Sequence, residues 1–288
     1  MGQKDLTQKG LESYSDVFAD VLNALLFKGK HIVKQEELLP APTESIYNAD
    51  GNNVRNQFQD VSMYVLQNGQ TRLQYLLENQ TKTERRHVLR KAGYQGAIYR
   101  KQYDSKNLYP VVGIVLYWGK AHWRSPLSLK KLLLSSGSAM YPMTEELGDF
   151  WDDIKLHVYE MAHLSAEVRG RFRSDMRVIV DYLAEGKNYQ PTDQKLIHVE
   201  AFLRMLRALT GDIRYEQLVN EFQDREEIGM CELLDKYESI GMEKGMDITL
   251  VKDLKSLMQT MNLTLEKAMD ALRVPEGRRS YYAELIQK

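Results

Sequence analysis

Cysteine is nearly absent. The single Cys231 among 288 residues excludes an internal disulfide and any zinc or iron–sulfur site built on several thiolates, as expected in a reducing compartment. Long apolar runs are missing too: the longest candidate, YPVVGIVLYWG at 109–119, falls short of the ~18 residues a membrane span requires. The opening MGQKDLTQKGLESYSD lacks the apolar core of a secretory signal, so the expected location is cytoplasmic with no membrane association. An excess of one charge is also lacking. With Lys+Arg 39 against Asp+Glu 40 the net charge is -1, so any contact with a polyanion must come from a local patch. What remains, 43% apolar and 27% charged residues, is the balance of a globular chain with a substantial core.

Helical spacing dominates 11–27, where Tyr14, Val17, Phe18, Val21, Leu22, Leu25 and Leu26 share one face before Gly29 ends the helix. Pro40, Pro42 and NADGNN mark 31–56 as turn and loop, with one short strand expected at HIV. FQDVSMYVL and RLQYLLE are strand-like runs separated by QNGQT, whose Asn68-Gly69 pair predicts a hairpin turn. A helix follows over KTERRHVLRKAGYQGAIYRKQYD, then YPVVGIVLYWG, apolar on both faces as a central strand is. The order helix, hairpin, helix, buried strand predicts an α/β mixed sheet flanked by helices. Beyond about Tyr141, DFWDDIKLHVYEMAHL, RSDMRVIVDYLAEG and KLIHVEAFLRMLRALTG all read as helices. Gly229, Gly241 and Gly245 are expected to interrupt the helices after Glu221, and Pro275 to break a final helix–turn–helix tail. Three regions follow: a core at 1–136, a helical accessory region at 137–225 and a helical tail at 226–288.

Several motifs fail on inspection. GIVLYWGK has one residue too many between its glycines for a phosphate-binding loop. Ser128 and Lys131 form a Ser-x-x-Lys pair without its companion motifs. The six histidines show no His-Glu-x-x-His spacing, and no serine lies in a Gly-x-Ser-x-Gly turn.

A pair of acids on the hairpin is left. Asp60 lies eight residues before Asn68 and Glu78 nine after Gly69, so the two strands bring them level if a bulge absorbs one residue. Two carboxylates near a backbone carbonyl make a hard oxygen site suited to Mg²⁺, which activates water and stabilises charge on a phosphate. The bland reading, equally compatible with spacing alone, is that both acids are solvated strand ends.

FADVLNALLF at 18–27, Asp60-Val61, LLENQT at 76–81, Arg90 with Tyr94 and Tyr99, YPVVGIVLYWG, Trp123 and PLSL at 126–129 stand in an order that resembles the Rpn family. This is the recombination-promoting nuclease or "putative transposase" family of the PD-(D/E)XK nuclease superfamily. The resemblance covers residue 14 to about 135 and implies a restriction-endonuclease-like core with a C-terminal all-helical region. It implies metal-binding roles for Asp60 and Glu78, with Gln80 standing where the superfamily has lysine. A neutral amide orients water or a phosphate oxygen but carries no charge. Departures from the family pattern are Gln59 before Asp60, Ser62-Met63 after Val61, and His87-Val88 where Met-Pro is usual.

Asp16, Asp20 and Asn23 project within a narrow arc of the first helix, opposite its apolar face. Spacing alone makes this a solvated face; the resemblance makes Asp20 a helper at the metal. Arg85, Arg86 and Arg90, with Lys82 and Lys91, follow the acids; such runs are mostly solubilising helix surface, but beside a catalytic Glu78 they are expected to hold a DNA backbone. Arg169, Arg171, Arg173 and Arg177 form a second basic stretch, suited to DNA or to salt bridges with DFWDD. The reading is a Mg²⁺-dependent DNA endonuclease linked to recombination or mobile elements, with the catalytic set Asp60, Glu78 and Gln80. The alternative is a catalytically impaired nuclease fold acting as a DNA-binding or interaction scaffold. Association into a homo-oligomer is expected through the C-terminal helices, whose apolar stripe needs cover.

Overall fold

The computed structural model describes residues 10–49, 53–58, 60–135, 150–222 and 225–287. A single 3₁₀ turn, Leu11–Ser13, leads into α1, Ser15–Leu25. Strands β1 (Leu38–Pro40), β2 (Glu44–Ala49), β3 (Asn53–Phe58), β4 (Val61–Gln67) and β5 (Gln70–Gln80) follow. Helix α2 (His87–Lys101) crosses over to β6 (Val111–Tyr117), and α3 (Leu129–Leu134) precedes β7 (Val158–Glu160). The sheet runs β1-β4-β5-β6-β7, antiparallel up to β5 and parallel from β5 to β7. It is thus a mixed sheet in which β5 and β6 are interior.

The two faces of β5 meet different helices because successive side chains point to opposite sides. Tyr75 and Leu77 belong to the main core with Phe18 of α1, whose ring meets the Tyr75 ring edge-on at 6.5 Å. Leu76 packs on the other face with Ile98 of α2 and Val111. By the same alternation Glu78 and Gln80 face α2, and Asn79 faces α1.

Short helix α4 (Ala166–Arg169) is followed by α5 (Met176–Glu185), α6 (Val199–Thr210) and α7 (Arg214–Glu221). These share the core of the sheet, which runs continuously from Leu11 to Leu233. A two-residue pairing of β8 (Lys195–Leu196) with β9 (Ile228–Gly229) leads into α8, Met230–Thr260. Its C-terminal half joins α9 (Leu265–Ala271) and α10 (Glu276–Gln287) around a second small core of Leu254, Ala268, Met269, Val274 and Tyr282. No helix among the described residues is long and apolar enough to cross a membrane. The expected region boundary at 136 lies outside the described residues.

Four local expectations are corrected. The segment 31–56 is not mainly loop: β2 and β3 pair with each other there, while HIV is not a strand and β1 begins at Leu38. Over its described residues, 150–164, DFWDDIKLHVYEMAHL is not a helix, since Val158–Glu160 is the fifth strand of the sheet and only Met161–His163 makes a single 3₁₀ turn. Finally, α8 passes through Gly241 and Gly245 without interruption. Each glycine costs such a helix about 1 kcal/mol relative to alanine, which a 31-residue helix absorbs. Gly241 also has a packing reason, because a Cβ there would lie 2.8 Å from the Arg214 guanidinium.

Candidate functional site

The site begins with a turn. Asn68 and Gly69 adopt φ values of 53° and 73°, the left-handed pair of a type I′ hairpin turn. From there Gln67 pairs with Gln70 and Leu66 with Thr71, but Val65 pairs with Leu73, which leaves Arg72 as an extra residue on β5. This bulge absorbs the unequal spacing of the two acids. Val61 pairs with Leu77, so the next step of the register sets Asp60 level with Glu78. An Asp60 carboxylate oxygen accepts the backbone N–H of Asn79 at 2.5 Å.

Glu78 is buried at 6% exposure, because β4 and β6 flank it and α2 covers its face. His87, at the start of α2, places Nε2 2.6 Å from Glu78 Oε2. The contact is off the hydrogen-bond direction, so both atoms are buried without a directed hydrogen bond. Arg90 lies on the same helix, held by Glu84 at 3.0 Å and by the Tyr94 hydroxyl at 2.9 Å. Burial works against its charge, but Tyr94, Glu78 and Glu84 outweigh that and hold the guanidinium above its ordinary value. Lys91 is buried beside it and donates to the Lys155 carbonyl at 2.5 Å; burial lowers its pKa while Glu78 opposes the shift.

A third acid, Glu12, arrives from the side of α1. It sits in the 3₁₀ turn before that helix and is only 2% exposed. Burial and the Asp60 charge push its pKa up to about 7, against hydrogen bonds from its own backbone and the Asn79 side chain. Asn79 is held in turn, its side-chain carbonyl accepting Trp118 Nε1–H at 2.7 Å. Asp60 is raised to about 6, mainly by burial and also by Glu78, with Arg90 and His87 pulling the other way. One Glu12 oxygen and one Glu78 oxygen have no hydrogen-bond partner. Glu12 and Glu78 are buried and Asp60 is half-buried, and their carboxylates are hard oxygen donors of the kind a divalent cation takes, although the three do not bring one oxygen each within 4.8 Å of one another.

Glu12 escaped the sequence reading, which chose Asp20. Asp20 instead accepts the backbone N–H groups of Arg173 and Ser174 and the Ser174 hydroxyl at 2.6 Å. Nor is its arc of α1 a solvated face. Asp16 meets His198 at 2.9 Å, and Asn23 pins the chain at Ile32 and Val33. The signal that could have found Glu12 is a charge between the buried Leu11 and the start of an apolar helix.

The other expected residues divide. Gln80 closes β5 and, two residues beyond Glu78, shares its face. Arg90 is in the site. Arg85 is turned to Ser135, donating to its carbonyl at 2.8 Å, and Arg86 is exposed at the start of α2. Three of the four arginines of the second basic stretch are in ion pairs, none of them with the described residues of DFWDD: Arg169 binds Asp181 at 2.7 Å and Glu185 at 2.9 Å. Arg177 also binds Asp181, and Arg171 binds Glu167 at 2.7 Å.

Comparison with curated proteins and with solved structures gives no match. One family model does match, over residues 36–171, which include Asp60, Glu78, Gln80, His87 and Arg90 but neither Glu12 nor Asp20. The match, over a little under half of the chain, is to the family described as "Putative transposase, YhgA-like", to which this segment is similar.

Proposed function

We propose that the chain is a divalent-metal-dependent DNA endonuclease with a PD-(D/E)XK-type core, working in recombination or on mobile elements as the family description suggests. The observation that carries this reading is the register that sets Asp60 level with Glu78, with Glu12 near enough to feel the Asp60 charge and to be hydrogen-bonded by Asn79. Asp60, Glu78 and Glu12 are the residues that would hold the ion. Bound there, a Mg²⁺-class cation supplies water activation and neutralises charge on the phosphate. Gln80 orients the water or a phosphate oxygen by hydrogen bonding. Arg90, pre-positioned by Glu84 and Tyr94, binds a backbone phosphate near the reacting one, and exposed Arg86 extends that track without reading bases.

A second reading, a nuclease fold that binds DNA without cutting it, draws support from His87, which lies against a Glu78 oxygen that would face the metal, and from the uncharged Gln80. Nicking of supercoiled plasmid with Mg²⁺ or Mn²⁺ separates the two. Nicking that disappears in Asp60→Ala and in Glu78→Ala, and survives Asp20→Ala, supports the endonuclease. Binding without nicking across several metals selects the scaffold.

A further inference from the structure

A second cluster lies along the same sheet edge, outside the acid site. In register, Gln80 of β5 is level with Tyr117 of β6, which is level with Glu160 of β7. Beyond these strand ends, His122, Glu160 and His163 bring one ligand atom each to within 4.8 Å of one another. His122 Nδ1 is 2.6 Å from Glu160 Oε2, and the two imidazoles stack with centroids 4.1 Å apart.

The ligands are already oriented by outer partners. His163 Nε2 lies 3.0 Å from the Lys120 carbonyl, a contact that requires the proton on Nε2 and leaves the Nδ1 lone pair for a metal. The other Glu160 oxygen accepts the Trp123 backbone N–H at 2.7 Å. Two imidazoles and one carboxylate, with the remaining positions open to solvent, suit a borderline cation such as Zn²⁺ more than Mg²⁺.

We propose that His122, Glu160 and His163 form a second metal site, for a Zn²⁺-class ion, that clips the loop after β6 to the end of β7. The loop it fixes carries Trp123, whose ring meets the rings of Tyr117 at 5.2 Å and His87 at 6.0 Å. His87 in turn touches Glu78. The clip therefore positions the wall of the acid site without contributing to its donor set.

Titration of the full chain with Co²⁺, followed by its visible ligand-field absorption, tests the proposal independently of any nuclease activity. The expected result is a band of a low-coordinate nitrogen–oxygen site, displaced by Zn²⁺ but not by excess Mg²⁺. His122→Ala and His163→Ala should each weaken Co²⁺ binding by at least about tenfold. Asp60→Asn with Glu78→Gln should leave the band in place. Circular dichroism of each variant in EDTA separates lost metal from lost fold. A spectrum of the aqueous ion in wild type overturns the site, as does a band that survives both histidine variants. A band lost on Asp60→Asn with Glu78→Gln but kept without the histidines reassigns the ion to the acid site and overturns it equally.

Discussion

Around Asp181, two arginines close on one carboxylate, and Glu185 takes a further arm of Arg169. At the end of β5, by contrast, Glu12 and Glu78 each keep an oxygen without a hydrogen-bond partner near Asp60, and Glu12 and Asp60 are pushed toward the protonated form. Both groups are largely buried. The first is a balanced network whose charges stabilise one another once desolvated, and it ties α4 to α5. The second is unfavourable for folding and persists because the surrounding sheet and helices fix it, which is the usual mark of a binding site.

Isosteric neutralisation is the sharpest way to test this contrast. Asp181→Asn removes the shared partner of Arg169 and Arg177 and should cost about 3 kcal/mol, read as a lower urea midpoint. Glu78→Gln removes a desolvated charge of the same size and should change stability by under about 1 kcal/mol while nicking falls at least about a hundredfold. Equal destabilisation by both substitutions would erase the distinction, because the acid site would then be a structural network as well.

Proton linkage gives the next largest effect. Glu12 and Asp60 have folded values of about 7 and about 6, raised from ordinary values of 4.5 and 3.8. The stability each contributes is fully present below its ordinary value and is lost as pH rises through the folded one. In EDTA the melting temperature should therefore fall between pH 4 and pH 8, with Glu12 accounting for on the order of 3 kcal/mol. A divalent cation should recover most of it at pH 8 and little at pH 5, since the ligands must release their protons to bind. Glu12→Gln should flatten the slope in EDTA. A slope identical to wild type would place Glu12 outside the titrating cluster.

The same contrast explains what the sequence made legible. Asn68-Gly69 announced its turn through local chemistry, and the count from that turn carried Asp60 and Glu78 together once a bulge was allowed. The helices α1 and α2 and the buried strand β6 follow from apolar periodicity. Glu12 did not follow, because its burial depends on how the 3₁₀ turn before α1 docks on a strand more than sixty residues later, and a charge next to the buried Leu11 is only a faint local sign of that. Asp20 misled for the matching reason: its position on α1 suits a metal ligand, but the chain at Arg173 and Ser174 returns to claim it. β7 is three residues long, too short for any periodicity to reveal, and exists because β6 offers it an edge.

Gln80 offers the smallest expected effect and bears on why the acid site needs outside charge. On β5 it shares the face of Glu78, where a lysine would add a positive charge beside the carboxylates. Arg90 already supplies one from α2, pinned between Glu84 and Tyr94. If the acid site binds metal and phosphate as proposed, Gln80→Lys should raise the nicking rate at saturating Mg²⁺ by up to about tenfold, equivalent to about 1.4 kcal/mol at the transition state. It should also lower the melting slope in EDTA, because a nearby ammonium favours the ionised form of Asp60, whose folded value is raised. A flatter slope without a faster rate would mean that the lysine reaches the acids but not the reacting phosphate, and that Arg90 already provides the charge the reaction uses.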